Sequence, residues 1–408
     1  YPDEWILRGN HHDGWNHGAA DPVSGLVALM DEARSVARLA AAGSAPKRTV
    51  IYTVWDAEEP GLIGSTEWVE KHLKDLDRHA VAYLNTDGNG RGFVGVGGSH
   101  TLESFFNEVL GAVEDPQTGA TVAERVRARI AVAGTPEQRD ELTARPELRI
   151  SPLGSGSDYT PFLQHAGIAS ANLGFGGEGN GGSYHTLYDT FEHYSRFRDP
   201  GFAYGVALAG VAGTATLRLA NADVLPFRFS GLADNLNHYL EELEKLAGEA
   251  RKEAERVNGL LESGRFELAL DPTRTLGAPS PKPAVPYFNF APLKNVLDRI
   301  TDSAEALDEA LEGLDPNGGV NLADLNRRLY SSERTLISTD GLPGREWYRH
   351  QVYAPGFYTG YGVKTLPRVR EAIEAKLYGS VDDEIARTAE VLARFADYLD
   401  ETLTSISD

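Results

Sequence analysis

Through roughly the first 220 positions, β-branched and aromatic runs alternate with stretches of helical spacing. Glu4 to Arg8 reads as a short strand, followed by the polar turn Gly9 to Trp15. Asp21-Pro22 opens a helix in which Leu26, Leu29, Met30, Ala33, Val36, Ala37 and Ala40 recur at helical spacing to about Ala42. Arg48 to Trp55 is β-branched and aromatic, the pattern of a buried strand. Pro60-Gly61 then opens a loop, and Leu62, Trp68, Val69 and Leu73 mark a helix over 62–76. Ala80 to Asn85 is a second core strand that stops at Thr86-Asp87-Gly88. Residues 100–145 read as helices interrupted by a charged linker at Asp115 to Gly119. Glu147 to Leu153 reads as a strand, Asp158 to Gln164 as a short helix, and Ile168 to Leu173 as a further strand. A glycine-rich loop, Gly174 to Gly182, and a helix over 199–220 complete this half. The order predicts an α/β fold, a mixed β-sheet flanked by helices.

From about Val224 the strand pattern disappears. Leu236, Leu240, Leu243 and Leu246 line one face of a long helix over 232–261, and a proline-rich loop runs from Pro272 to Pro286. Helical stretches at 291–314 and 366–404 follow, with no sheet expected. Two domains are therefore predicted, the α/β unit over 1–222 and an all-helical unit over 223–408. A chain of 408 residues is long enough for both. Its net charge of −21 argues against nucleic acid as a partner. With no cysteine, disulfides and thiolate ligands are excluded. No apolar run approaches the ~20 residues of a membrane span, so no transmembrane segment is expected. The start at Tyr1, without a signal-like segment, reads as a processed or truncated end.

Ionisable residues collect just past the strand ends. They are His11 and Asp13, Asp21 at the next helix start, Glu58 and Glu59, Asp87, and His185 after the glycine loop. In open α/β sheets that edge is where ligands bind. An isolated acidic pair is ordinarily solvated surface, and an isolated histidine ordinarily a satisfied polar residue. Several carboxylates in one cleft, however, repel one another unless cations neutralise them. Imidazole and carboxylate ligands without sulfur suit zinc, with cobalt or manganese as alternatives. Two divalent ions are balanced by Asp21, Glu59, Asp87 and one hydroxide, which leaves Glu58 free to serve as general base.

The same residues carry a resemblance. Gly9 to Trp15, Asp21-Pro22-Val23-Ser24-Gly25, Trp55 to Trp68, Ala82 to Asp87, Leu153 to Asp158, Gly167 to Ser170 and Tyr184 to Thr190 resemble the glutamate carboxypeptidase II-like branch of the dinuclear zinc peptidases. That branch also contains the transferrin receptors. Asp223 to Phe227 and Arg345 to Pro355 extend the match into the helical half. The resemblance implies His11 and Asp87 on one zinc, Glu59 and His185 on the other, and Asp21 bridging. It implies Glu58 as proton shuttle, Asp13 orienting His11, a cis Asp21-Pro22 bond, and Tyr184 as donor to the oxyanion. Gly156, Asn172 and Tyr361 are the substrate-binding positions it implies, and His350 is structural. His12 and His17 are candidates to line the cleft. A homodimer formed through the helical half, a peptide substrate and an extracytoplasmic location are further implications.

Two departures bear on specificity. The arginine patch of the glutamate-selective members is replaced by Ala171-Asn172-Leu173-Gly174, and their Lys-Tyr pair by Gly360-Tyr361. A strict preference for acidic dipeptides is therefore not expected. An aminopeptidase or broad dipeptidase is slightly favoured, with a carboxypeptidase and a non-catalytic receptor or scaffold as alternatives. An N-terminal part of the catalytic domain and an apical domain have no counterpart in this chain, so a missing fragment or second chain is a further expected partner. Glu67 and Glu70 resemble half of a structural calcium site whose other ligands belong to that portion.

Overall fold

The computed structural model describes residues 1–179, 182–271, 273–274 and 277–407. Asn180 and Gly181 of the predicted glycine loop, Pro272, Thr275 and Leu276 of the proline-rich loop, and Asp408 lie outside the described residues. Five strands form the main sheet: β1 (Trp5–His11), β2 (Thr49–Trp55), β3 (Ala80–Thr86), β4 (Gly92–Gly98) and β5 (Ser170–Gly177). Their spatial order is β2-β1-β3-β5-β4, parallel except for β4, which runs antiparallel to β5. Ile6, Leu7 and all of Val81 to Leu84 are fully buried, as expected of parallel strands covered on both faces.

The helices of the first half are α1 (Val23–Ala41), α2 (Ile63–His79), α3 (Glu103–Leu110), α4 (Val122–Ala133), α5 (Pro136–Ala144), the short α6 (Phe191–His193) and α7 (Ala203–Asn221). α1 and α7 pack on each other and on one face of the sheet, while α2 and the turn Pro161–His165 cover the other. On that second face the Phe162 ring stacks on Tyr83 at 3.9 Å. Gly9 is obligatory beside it, since a Cβ there would lie 2.1 Å from the Tyr83 hydroxyl oxygen.

The second half holds α8 (Ser230–Glu262), α9 (Arg265–Leu268), α10 (Ala291–Glu312), α11 (Leu322–Ser331), α12 (Pro367–Glu374) and α13 (Val381–Ser407). α10 packs against both α8 and α13, and the start of α8 leans on the turn His100–Leu102 and on α3. Leu232, Leu236, Leu240 and Leu243, one turn apart, are buried along α8.

Several expectations are corrected. β4 was not expected. Residues 147–153 form no strand, and only Ser151 bridges to Gly97. The short helix expected at 158–164 is present over 159–165, and it widens into a π turn at Pro161–His165. In the helical half, Tyr353–Pro355 (β6) and Val363–Thr365 (β7) form a small antiparallel hairpin where no sheet was expected. The stretch 366–404 is two helices, broken between Glu374 and Val381. Finally, residues 200–221 form a helix long and apolar enough to cross a membrane by length and composition, contrary to the sequence reading. Its Leu208, Val211, Ala212, Ala215 and Leu219 are fully buried within the fold.

Candidate metal centre

β1, β3 and β2 run parallel and terminate together, His11 pairing in register with Trp55 and Gly9 with Asn85. The residues just beyond those ends therefore share one rim. Asp21 reaches the same rim from the start of α1, and its bond to Pro22 is cis. His185 arrives from the opposite wall with a left-handed backbone, φ 54°, a conformation that non-glycine residues rarely adopt.

Six predicted side chains meet as two triplets, His11, Glu58 and Asp87, and Asp21, Glu59 and His185. Within each triplet the ligand atoms lie within 4.8 Å of one another. His11 Nε2 is 3.1 Å from Asp87 Oδ1, 3.5 Å from Asp21 Oδ1 and 3.8 Å from Glu58 Oε2. His185 Nε2 is 3.2 Å from Asp21 Oδ2 and 3.0 Å from Glu59 Oε2. Asp21 thus presents one carboxylate oxygen to each triplet. Ligand bonds of 2.0–2.1 Å in a tetrahedron would place neighbouring donors roughly 3.3 Å apart. The observed separations bracket that value, so the donor set fits two divalent ions in spacing as well as in chemistry.

The surrounding hydrogen bonds aim these groups. Asp13 accepts from the backbone N–H of Glu58 (3.1 Å) and of Glu59 (3.2 Å). Its carbonyl oxygen lies 3.1 Å from His11 Nδ1. Trp15 N–H donates to Glu59 Oε1 at 3.0 Å, leaving Oε2 for His185. Asp189, unassigned from sequence although it lies in the Tyr184 to Thr190 motif, accepts from the N–H of Ala20 (2.9 Å) and of Asp21 (3.1 Å).

The electrostatics express the crowding of negative charge. Burial opposes a charge on His11, yet Asp21, Asp87 and Glu58 outweigh it and raise its pKa to about 12. Burial raises Glu58 to about 9; the His11 charge opposes this, while Asp87, Asp158 and Glu59 add to it. Asp158, fully buried behind the cleft, is pushed by burial to about 7. Both shifts have the same origin, a surplus of negative charge in the cleft that divalent cations would neutralise.

The remaining site predictions fall around the same cleft, whose volume is about 470 Å³. Gly156, Asn172, Tyr184 and Tyr361 all line it. The Tyr184 ring stacks on His185 at 3.6 Å, and its hydroxyl is 3.5 Å from that of Tyr361. Tyr361 and Tyr348 come from the helical half, so both halves build the cleft. Sequence reading missed Ser183, Arg198 and Tyr348 in the lining. A larger apolar groove of about 960 Å³ lies against α1 and contains none of the six clustered residues. His17 lines that groove, and His12 lines neither. His350 is buried, 3.1 Å from Glu333 Oε1, and accepts from the N–H groups of Val352 and Tyr353, which is a structural role. Glu70 accepts from Trp347 Nε1 at 2.6 Å, and neither Glu67 nor Glu70 joins a ligand cluster among the described residues.

Comparison with known proteins finds matches to both halves of the chain. The model of peptidase family M28 matches residues 1–199, and the transferrin receptor-like dimerisation domain matches 288–400. The chain thus has a region similar to peptidase family M28 followed by one similar to the transferrin receptor-like dimerisation domain. A probable glutamate carboxypeptidase, LAMP1, of Arabidopsis thaliana is 33% identical over 91% of this chain and 47% of its own length. Aminopeptidase NAALADL1 of Rattus norvegicus is 28% identical over 91% of this chain and 46% of its own. The chain therefore spans about half the length of these curated relatives. Among solved structures, a zinc aminopeptidase from Bacillus subtilis is similar at 23% identity, covering 53% of this chain and 47% of that one with a TM-score of 0.36. The M28 region holds all six clustered residues, and the dimerisation region supplies Tyr348 and Tyr361 to the cleft.

Proposed function

We propose that this chain is a dinuclear zinc exopeptidase, with the peptidase unit over 1–222 and a dimerisation-like unit over 223–408. The carrying observation is Asp21, whose two oxygens face His11 and His185 separately. His11 and Asp87 would hold one zinc and Glu59 and His185 the other, with Asp21 shared. Zinc bound there supplies Lewis-acid polarisation of the scissile carbonyl and acidifies the attacking water. Glu58, the most distant of the three carboxylates from His11 Nε2, takes the proton from that water and passes it to the leaving amine. Tyr184 donates its hydroxyl hydrogen to the developing oxyanion. Asp13 orients His11 and, through two backbone N–H groups, the Glu58–Glu59 turn.

With Asn172 and Gly174 in place of the arginine patch and Gly360 in place of the lysine, an aminopeptidase or broad dipeptidase is favoured over a carboxypeptidase specific for acidic residues. The relatives' names include both types. A non-catalytic scaffold accounts less well for a full set of six donors. Elemental analysis of the purified chain should return zinc at about two ions per chain under non-chelating conditions. Glu58→Gln should keep that zinc and lower kcat by roughly 10²- to 10⁴-fold. Near-normal turnover in this variant would exclude Glu58 as the base, and a zinc-free native protein would favour the scaffold.

A further inference from the structure

Two arginines of neighbouring segments are already paired. Arg91 Nε lies 3.1 Å from Glu178 Oε2, and Arg125 is paired with Asp115 and with the same Glu178. Arg198 differs. It lines the metal cleft, and it is the one guanidinium or ammonium group among the cleft's described lining residues. Among the described residues its side chain has no ion-pair partner, and its Nε is buried without a hydrogen bond. The neighbouring Asp199 carboxylate is committed to the N–H groups of Tyr204 (3.1 Å) and Gly205 (2.8 Å).

Further donors face the same cleft. Ser183 is 1% exposed and lines the cleft, yet among the described residues its hydroxyl has no partner. Asn172 accepts through Oδ1 from Asn85 Nδ2 at 3.0 Å, which leaves its own amide hydrogens uncommitted. The Asn85 bond, with Tyr83 and Trp55 behind it, fixes which way that amide faces. A guanidinium with no ion-pair partner beside uncommitted donors is placed to receive an anion, and a planar carboxylate is the anion its fork matches.

We propose that Arg198, assisted by Ser183 and Asn172, binds the free carboxylate of a short peptide. This rests on the exopeptidase reading and deepens it. The arginine patch and the lysine absent from this chain are replaced by a single cation entering from the segment after α6. The substrate class is a dipeptide or similarly short peptide with a free C-terminus, and the distance from Arg198 to the metal centre sets the length accepted. Arg198 is a specificity residue and takes no part in proton transfer.

The test separates binding from turnover. Calorimetry on the zinc-loaded full chain would compare N-acetylalanine with its amide. The native protein should bind the acid on the order of tenfold more tightly than the amide. Arg198→Met should lose that preference by weakening the acid alone, and Arg198→Lys, which keeps the charge but not the fork, should keep only part of it. In the hydrolysis of alanyl-alanine, the Met variant should raise KM on the order of tenfold while kcat changes less than about threefold. Equal binding of acid and amide by the native protein would overturn the proposal, as would an Arg198→Met protein that binds the acid like the native one. A native protein that shows the acid preference but cleaves no peptide would overturn the peptidase reading and leave the anion site standing.

Discussion

Gly25 shows how closely the site's residues are fitted to one another. It ends the Asp21 to Gly25 motif at the first turn of α1. A Cβ at this position would lie 1.9 Å from the Asp87 carbonyl oxygen and 2.5 Å from Asn10 Oδ1. Neither neighbour can yield cheaply. Asp87 carries a candidate ligand, and Asn10 Oδ1 already accepts from Thr86 Oγ1 at 2.6 Å. Gly25→Ala should therefore separate Asp21 from Asp87, lowering zinc occupancy and costing about 1–3 kcal/mol of stability. Metal analysis and a urea titration check the two effects, and unchanged zinc content would show that the close approach is not needed. Arg8 makes the complementary point. It is fully buried beneath the rim, with Nε 2.9 Å from Glu32 Oε2 and further bonds to the carbonyls of Gly9 and Leu84 and to Thr86 Oγ1. With its charge spent on Glu32, it leaves the carboxylate cluster above it for cations to balance.

At the scale of elements, the ends of β1, β2 and β3 were readable because apolar runs stop abruptly at polar turns. That pattern alone puts His11, Glu58, Glu59 and Asp87 at strand ends on one rim. β4 was not readable, because four of its seven residues are glycines and nothing marks a strand until it pairs with β5. Arg198 escaped for a different reason: its segment carries no periodic pattern, and only tertiary packing brings it to the cleft. Helix α8 was readable along its length from its leucines, but not how its start is secured. Asp308 of α10 accepts from the N–H of Phe229 (2.9 Å) and of Ser230 (2.8 Å) and from Ser230 Oγ (2.6 Å). Those donors would otherwise be unsatisfied at a helix start. Asp308→Ala should cost about 1–3 kcal/mol, and Asp308→Asn, which keeps one acceptor, less than that. The urea midpoint should fall with the slope unchanged. A midpoint unmoved in the alanine variant would mean that water replaces the carboxylate at no cost.

For the whole molecule, the two halves share one hydrophobic core. Leu225, Phe227 and Phe229 carry it from α7 into α8 and on to Phe395 of α13. The dimerisation-like region is thus packed onto the peptidase region and contributes Tyr348 and Tyr361 to its cleft. A homodimer formed through the helical half would bring together two chains of net charge −21 each. Repulsion between like-charged chains opposes that encounter, and salt screens it over a Debye length of about 8 Å at physiological strength. Raising salt from roughly 10 mM to roughly 300 mM should therefore tighten the dimer, the reverse of what an interface held by ion pairs would do. Sedimentation velocity at a fixed protein concentration reads this directly, as a rising share of the species with twice the chain mass. A dimer that dissociates as salt rises would show that ion pairs across the interface outweigh the net repulsion, and a monomer at every salt and protein concentration would overturn the homodimer that the resemblance implies.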